Sequence, residues 1–150
     1  MEVLRAGNEL DAAAIRDLAI SELGRTHTLV RLEGILEDYP SAVADRDGEL
    51  SGFVLGDSFA PDIIEMTNLL VATAYRGQGL GTRLIEAFEI AARERYRAIV
   101  LTNSSLRAIK HGTKRSAVPL YLRLGYEEIY KTADTTLLAK TLREQSAGEA

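Results

Sequence analysis

Three glycines alternate in Arg76-Gly77-Gln78-Gly79-Leu80-Gly81-Thr82, directly ahead of a helical pattern. With no Cβ atoms in the way, several backbone N–H groups there can converge on one ligand. The positive end of the following helix dipole adds to them, so the turn is a cradle for an anion. The P-loop pattern needs Gly-Lys followed by Ser or Thr, which is absent. The dinucleotide pattern G-x-G-x-x-G, counted from Gly77, needs a glycine where Thr82 stands. What fits is Arg-x-x-Gly-x-Gly, at Arg76, Gly79 and Gly81. The rest of the reactive inventory is thin. There is no cysteine, hence no thiolate nucleophile, disulfide or Cys-held metal. The two histidines, His27 and His111, are far apart, so no metal site is expected. Glu65 lies among Ile63, Ile64 and Met66, where partial burial could raise its pKa, or where it could simply face solvent or pair with an arginine. Tyr121 carries a phenol that is protonated at neutral pH, and it could equally serve as packing beside Leu120 and Leu124.

The elements that must position these groups alternate between strand and helix. Residues 2–6 read as a strand, and Asn8 is placed to cap a helix running to about Ile20 with Leu10, Ala14 and Leu18 as its apolar stripe. Thr28 caps a second helix, on which Leu29, Leu32 and Leu36 share a face until Tyr39-Pro40 ends it. Residues 41–44 and 50–56 form a hairpin with Asp47-Gly48 at its tip. A longer strand, 62–72, runs into the glycine turn. The helix beyond it, to about Arg95, has Leu80, Leu84, Phe88 and Ala92 spaced by four. Residues 98–102 are an unbroken apolar run, the mark of a strand covered on both faces, which completes a βαβ unit with a parallel pair. Residues 103–115 are polar, with Arg107, Lys110, His111, Lys114 and Arg115 and no acid, and read as a loop or lid. Ser116 caps a short helix with Pro119 in its first turn, and Gly125 closes it where a left-handed residue is wanted. Residues 126–131 and 135–142 form a terminal antiparallel pair. One domain, residues 1–142, with a frayed tail over 143–150, accounts for the chain.

With these segments in place, the chain resembles the GNAT superfamily of acetyl-CoA-dependent N-acetyltransferases. The Arg-x-x-Gly-x-Gly turn is one carrier of the resemblance. The other is Ala117-Val118-Pro119-Leu120-Tyr121-Leu122-Arg123-Leu124-Gly125-Tyr126, similar to the family's late helix A-x-x-x-Y-x-x-x-G-[FY]. The resemblance covers nearly the whole chain. It implies an α/β (α+β) fold: a mixed, mostly antiparallel sheet of six to seven strands with a central parallel splayed pair and about four flanking helices. The implied co-substrate is acetyl-CoA, its diphosphate held by the amides of Arg76, Gly77, Gln78, Gly79, Leu80, Gly81 and Thr82, with the Thr82 hydroxyl as a further donor. A plain tight turn is the competing account of the glycines.

Acetyl transfer from a thioester needs a neutral amine, a donor for the carbonyl oxygen and a proton for the departing sulfur. By the resemblance, the oxygen's donor is a backbone N–H within Leu69, Leu70 and Val71, most naturally that of Leu70 or Val71. The same edge pairs with the pantetheine arm as an added strand. Tyr121 is the implied general acid. Glu65 is the implied base or amine anchor, with a water relay as its competitor. Two departures from the family pattern stand out: Thr73 where a proline is common, and Lys114 where an asparagine is common. Lys110, Lys114 and Arg115 could instead meet the coenzyme's 3′-phosphate or be a solvated loop.

Composition sets the outer limits. Of 150 residues, 46% are hydrophobic and 27% charged, as in an ordinary globular domain. Eighteen Lys plus Arg against 22 Asp plus Glu leave a net charge of −4, which argues against a nucleic-acid partner. No apolar run has the length of a membrane span and no secretory signal opens the chain, so the cytoplasm is the expected compartment. Between Glu33 and Glu65 stand nine acids and one base, Arg46, which is either a wall favouring a cationic amine or a solvated face. The acceptor therefore stays open between a small-molecule or peptide amine and a protein lysine or N-terminus. A non-catalytic acyl-CoA-binding module is the third option, and a homodimer is open as well.

Overall fold

The computed structural model of the chain describes residues 1–104 and 117–144. Its elements are β1 (Glu2–Arg5), a 3-10 turn (Glu9–Asp11), α1 (Ala12–Leu23), α2 (Leu29–Asp38), β2 (Ser41–Arg46), β3 (Glu49–Ala60), β4 (Ile63–Val71), a second 3-10 turn (Thr73–Tyr75), α3 (Leu80–Arg93), β5 (Ala98–Ser104), α4 (Val118–Arg123), β6 (Glu127–Lys131) and β7 (Thr135–Thr141). The strands form one sheet in the order β1-β2-β3-β4-β5-β7-β6. Every neighbouring pair is antiparallel except β4 and β5. This is the mixed, mostly antiparallel sheet with a central parallel pair that the sequence led us to expect. Arg107, Lys110, His111, Lys114, Arg115 and Ser116 lie outside the described residues, as does the tail from residue 145.

Local signals act where their chemistry says they should. The β2–β3 hairpin turns on Asp47 (φ 53°) and Gly48 (φ 95°), the doubly left-handed geometry that an Asp-Gly tip suits. Thr28 Oγ1 accepts from Arg31 N at 3.2 Å and starts α2, whose Leu32, Ile35 and Leu36 are buried. Leu80, Leu84, Phe88 and Ala92 are all buried along α3, as their spacing predicts. Two glycines of β3 let neighbours come close: a Cβ on Gly52 would sit 2.9 Å from Leu70 O, and one on Gly56 would sit 2.7 Å from Pro40 O and 3.0 Å from the Phe88 ring.

The apolar stripe of α1 differs from the expectation. Leu10 and Ala14 are exposed and Leu18 is half-buried, while Ala12, Ile15 and Ala19 are buried. Asn8 does start the segment, through Leu10 N donating to Asn8 Oδ1 (2.8 Å) and Asn8 N donating to Asp11 Oδ2 (2.9 Å). The first turn, however, is 3-10, and its tighter winding shifts the phase of everything after it. The helix then continues to Leu23, where Gly24 at φ 75° ends it.

The sheet carries an apolar cluster on each face. One, under α3 and α4, includes Val54, Ile64, Met66, Leu84, Phe88, Ile99 and Tyr121. The other, under α1 and α2, includes Ile15, Leu32, Leu36, Val43, Phe53, Leu55 and Leu70. Among the described residues, no helix is long and apolar enough to cross a membrane.

Candidate active site

The parallel pair opens into a cleft. β4 and β5 pair at Ile63–Ala98, Ile64–Ile99 and Glu65–Val100, and no further, although β4 runs on to Val71 and β5 to Ser104. A break in the β3–β4 register coincides with the opening: Leu55 faces Asn68 and Gly56 faces Met66, which leaves Thr67 as an extra residue. Such a bulge bends and twists its strand, here away from β5. It also swaps the faces of the residues beyond it. Ile64 and Met66 belong to the α3-side core, yet past the bulge it is Leu69 and Val71 that pack there, while Leu70 joins the α1–α2 side. Backbone phase is set by Ala72 N, which donates to Ser51 O (2.9 Å). By strand alternation the Leu70 amide also turns to β3, and the Leu69 and Val71 amides face the open side.

The glycine turn stands at the end of that open edge. Gly77 (φ 77°) and Gly79 (φ 78°) are left-handed, and Gly79 is the N-cap of α3 with no side chain capping the first-turn amides. A Cβ on either would meet no atom within 4 Å, so the surface above the turn is open. Gly81 differs: it lies inside α3, and its Cβ would come 4.0 Å from Leu120 Cδ2 and from Val71 Cγ2. α4 therefore packs beside both the turn and the open strand edge.

A residue not singled out from sequence holds this turn. Glu22, in the last turn of α1, accepts from Thr73 N (2.8 Å) and Thr73 Oγ1 (2.6 Å), and its carboxylate lies 3.6 Å from the Arg76 guanidinium. The Thr73 hydrogen bonds hold the Glu22 carboxyl below the usual range. Arg76 Nε in turn donates to Val71 O at 3.0 Å. Thr73 in place of a proline was the available signal: a proline at this position has no N–H to give.

Tyr121 is buried in the α3-side core, edge-on to Tyr126 with ring centroids 5.6 Å apart. Burial pushes its phenol up to about 12. Tyr126 is locked behind it. Its hydroxyl donates to buried Glu89 Oε2 (2.8 Å), and Lys140 Nζ donates to Glu89 Oε1 (3.0 Å) and Leu124 O (2.7 Å).

Glu65 occupies the last rung before the strands part, half-buried and opposite Asp57 on β3. By alternation its side chain lies on the α1–α2 face, opposite to those of Ile64 and Met66. Asp57 shares that face, and its Oδ2 accepts from Arg31 at 2.9 Å. Glu65 and Tyr121 thus belong to opposite faces of the sheet. His27 is exposed between α1 and α2. Among the described residues, no group of three or more His, Asp or Glu is placed to hold a metal ion.

Three kinds of comparison bear on this geometry. No curated protein matches the chain by sequence. Solved structures match its fold over almost its whole length. The ribosomal-protein-S18-alanine N-acetyltransferase from Escherichia coli is 18% identical with a TM-score of 0.78, covering 100% of this chain and 99% of its own. An aminoglycoside 6'-N-acetyltransferase complexed with coenzyme A is 17% identical with a TM-score of 0.77, covering 96% and 99%. YncA from Salmonella typhimurium, solved with its cofactor acetyl-CoA, is 20% identical with a TM-score of 0.75, covering 100% and 99%. The family model for the acetyltransferase (GNAT) domain matches residues 37–128, a stretch from the end of α2 through the glycine turn and Tyr121 to the start of β6. The match spans more than half of the chain, and the chain belongs to the GNAT acetyltransferase family.

Proposed function

We propose that the chain moves the acetyl group of acetyl-CoA directly onto a primary amine of a small molecule or peptide, within a ternary complex. The observation that carries the reading is the parting of β4 from β5 beside an uncapped, open glycine turn. The amides of residues 76–82 take the diphosphate. The pantetheine arm lies along the open edge of β4, where Leu69 and Val71 present their N–H groups. The oxyanion donor is then one of these two amides rather than that of Leu70, which alternation turns towards β3.

The acceptor approaches from the face of Glu65 and Asp57, the thioester from the face of Tyr121. Glu65, directly or through water, takes a proton from the ammonium so that the nitrogen lone pair is free. The N–C bond forms, the C–S bond breaks, and the second nitrogen proton passes through water to the departing sulfur while Glu65 holds the first. With its phenol near 12, Tyr121 remains protonated at every pH of interest. Handing its proton outright to a thiolate of pKa ~8.5 would be uphill by roughly 5 kcal/mol, so its role is a hydrogen bond to the sulfur while the bond breaks. The paired acids Asp57 and Glu65 favour a cationic acceptor.

The test is a thiol-release screen with acetyl-CoA across polyamines, aminoglycosides, amino acids and peptides. Turnover on free amines by the wild type, reduced about 10- to 100-fold in Tyr121→Phe by the loss of one hydrogen bond to the developing thiolate, supports the reading. Turnover on peptides alone makes it a protein acetyltransferase. Tight acetyl-CoA binding with no thiol released makes it a binding module.

A further inference from the structure

We propose that Glu22 is a positioning residue for the coenzyme, acting through the segment that joins the open edge of β4 to the glycine turn. This inference rests on the acetyl-CoA reading above. Ala72 and Tyr75 anchor the ends of this turn, Ala72 by donating its N–H to Ser51 O (2.9 Å) and Tyr75 by packing on the α3-side core with the Arg46 guanidinium 4.2 Å from its ring. Thr73, Ala74 and residues 76–79 are exposed, and the 3-10 turn at Thr73–Tyr75 has no side-chain cap. Glu22 reaches across from α1 and supplies what is missing. One carboxylate oxygen takes the Thr73 N–H, and the other takes the Thr73 hydroxyl and faces the Arg76 guanidinium.

A ligand meets two effects of this clamp. The 3-10 turn is fixed before the diphosphate arrives, so binding need not pay the ordering entropy of that stretch. Arg76 is also drawn back onto Val71 O (3.0 Å), at the end of the open edge. Its guanidinium, 3.6 Å from the Glu22 carboxylate, offsets the negative charge that Glu22 would otherwise place near a diphosphate. These contacts meet the proposed chemistry only at the Val71 carbonyl, through Arg76, and touch neither the Leu69 and Val71 amides nor Tyr121. The expected signature is therefore confined to coenzyme binding.

Thr73 provides an internal control. It is the first residue of its 3-10 turn and comes after extended Ala72 (ψ 141°), a setting that a proline fits without moving the chain. Thr73→Pro removes both donors to Glu22 yet fixes the same backbone by covalent means. The experiment measures acetyl-CoA binding by calorimetry and steady-state turnover for wild type, Glu22→Ala, Thr73→Pro and the double variant, each checked by thermal melt. Glu22→Ala should weaken acetyl-CoA binding and raise its KM about tenfold, the worth of one charge-assisted hydrogen bond or about 1.4 kcal/mol, with kcat within twofold. The double variant should recover most of that loss, because proline replaces the clamp. An unchanged KM in Glu22→Ala, a fall in kcat alone, or no recovery in the double variant would each overturn the assignment. If the wild type itself fails to bind acetyl-CoA, the functional reading fails first and Glu22's role goes with it.

Discussion

The three glycines of the turn look alike in sequence, but the structure gives them different tasks, and that difference can be measured. Gly81 sits inside α3 with ordinary contacts of 4.0 Å waiting for a Cβ, which would point inwards at Leu120 and Val71. Gly81→Ala should therefore stabilise the fold by about 0.5–1 kcal/mol through helix propensity and lower backbone entropy in the unfolded chain. For a chain of 150 residues that is a rise in Tm of about 1–4 °C. Coenzyme affinity should not change, since the new methyl faces protein. Gly79 is the opposite case. Its φ of 78° penalises most side chains by about 1–2 kcal/mol, and a side chain there would project into the open space above the turn. Asparagine tolerates left-handed backbone, so Gly79→Asn separates strain from obstruction. Its Tm should stay close to wild type while its side chain stands where the diphosphate approaches. Losing one or two charge-assisted N–H contacts weakens acetyl-CoA by about 10- to 100-fold. Melting curves and calorimetric titration of both variants complete the test. Wild-type affinity in Gly79→Asn would refute the cradle, and a lowered Tm in Gly81→Ala would refute the packing argument.

Two more expectations concern Tyr121 and its support. With its phenol at about 12, kcat measured by thiol release at saturating substrates should show no descending limb between pH 7 and about 10, because the proton is lost only above that range; a limb centred near pH ~10, the value of an exposed phenol, would mean that the donor is not this buried one. Glu89→Ala strands the Lys140 ammonium and the Tyr126 hydroxyl, which have side-chain access to Glu89 at 3.0 and 2.8 Å. Removing one side of a buried pair costs about 3–5 kcal/mol, reduced here to roughly 2–3 because Lys140 keeps Leu124 O and some exposure. Urea midpoints should show that loss, and show it at least half restored in the double variant Glu89→Met with Lys140→Met; a single-variant cost below about 1 kcal/mol would mean the pair does not tie α3 to β7.

What could be read from sequence was whatever is local. The four-residue spacing of Leu80, Leu84, Phe88 and Ala92 needs no tertiary information to define a buried stripe, and Asp47-Gly48 carries its turn geometry in its own backbone preferences. The α1 stripe misled because the start of a period cannot be seen when the first turn is 3-10: one tight turn at Glu9–Asp11 moved burial from leucines to Ala12, Ile15 and Ala19. Side-chain pairings across long separations were out of reach. Glu22 with Thr73 and Glu89 with Lys140 are each 51 residues apart. Nothing in the spacing of a surface-like glutamate announces such a partner.

The bulge at Thr67 is the least legible feature and the one on which the site depends most. Read as plain alternation, residues 62–72 would send one set of side chains to each face throughout, and a straight β4 would remain paired with β5. One extra residue opposite β3 changes both outcomes together. Before it, alternation puts Ile64 and Met66 under α3 and leaves Glu65 on the other face; after it, Leu69 and Val71 line the α3 side and their amides face the opened edge. The inserted residue thus coincides with the parting of the strands and turns the Leu69 and Val71 amides to the gap. Deleting Thr67 should remove the register break at Leu55/Gly56 between β3 and β4. The expected result is a protein with far-UV circular dichroism near wild type that no longer binds acetyl-CoA. Retained binding would mean that the parting of β4 from β5 does not originate in the bulge.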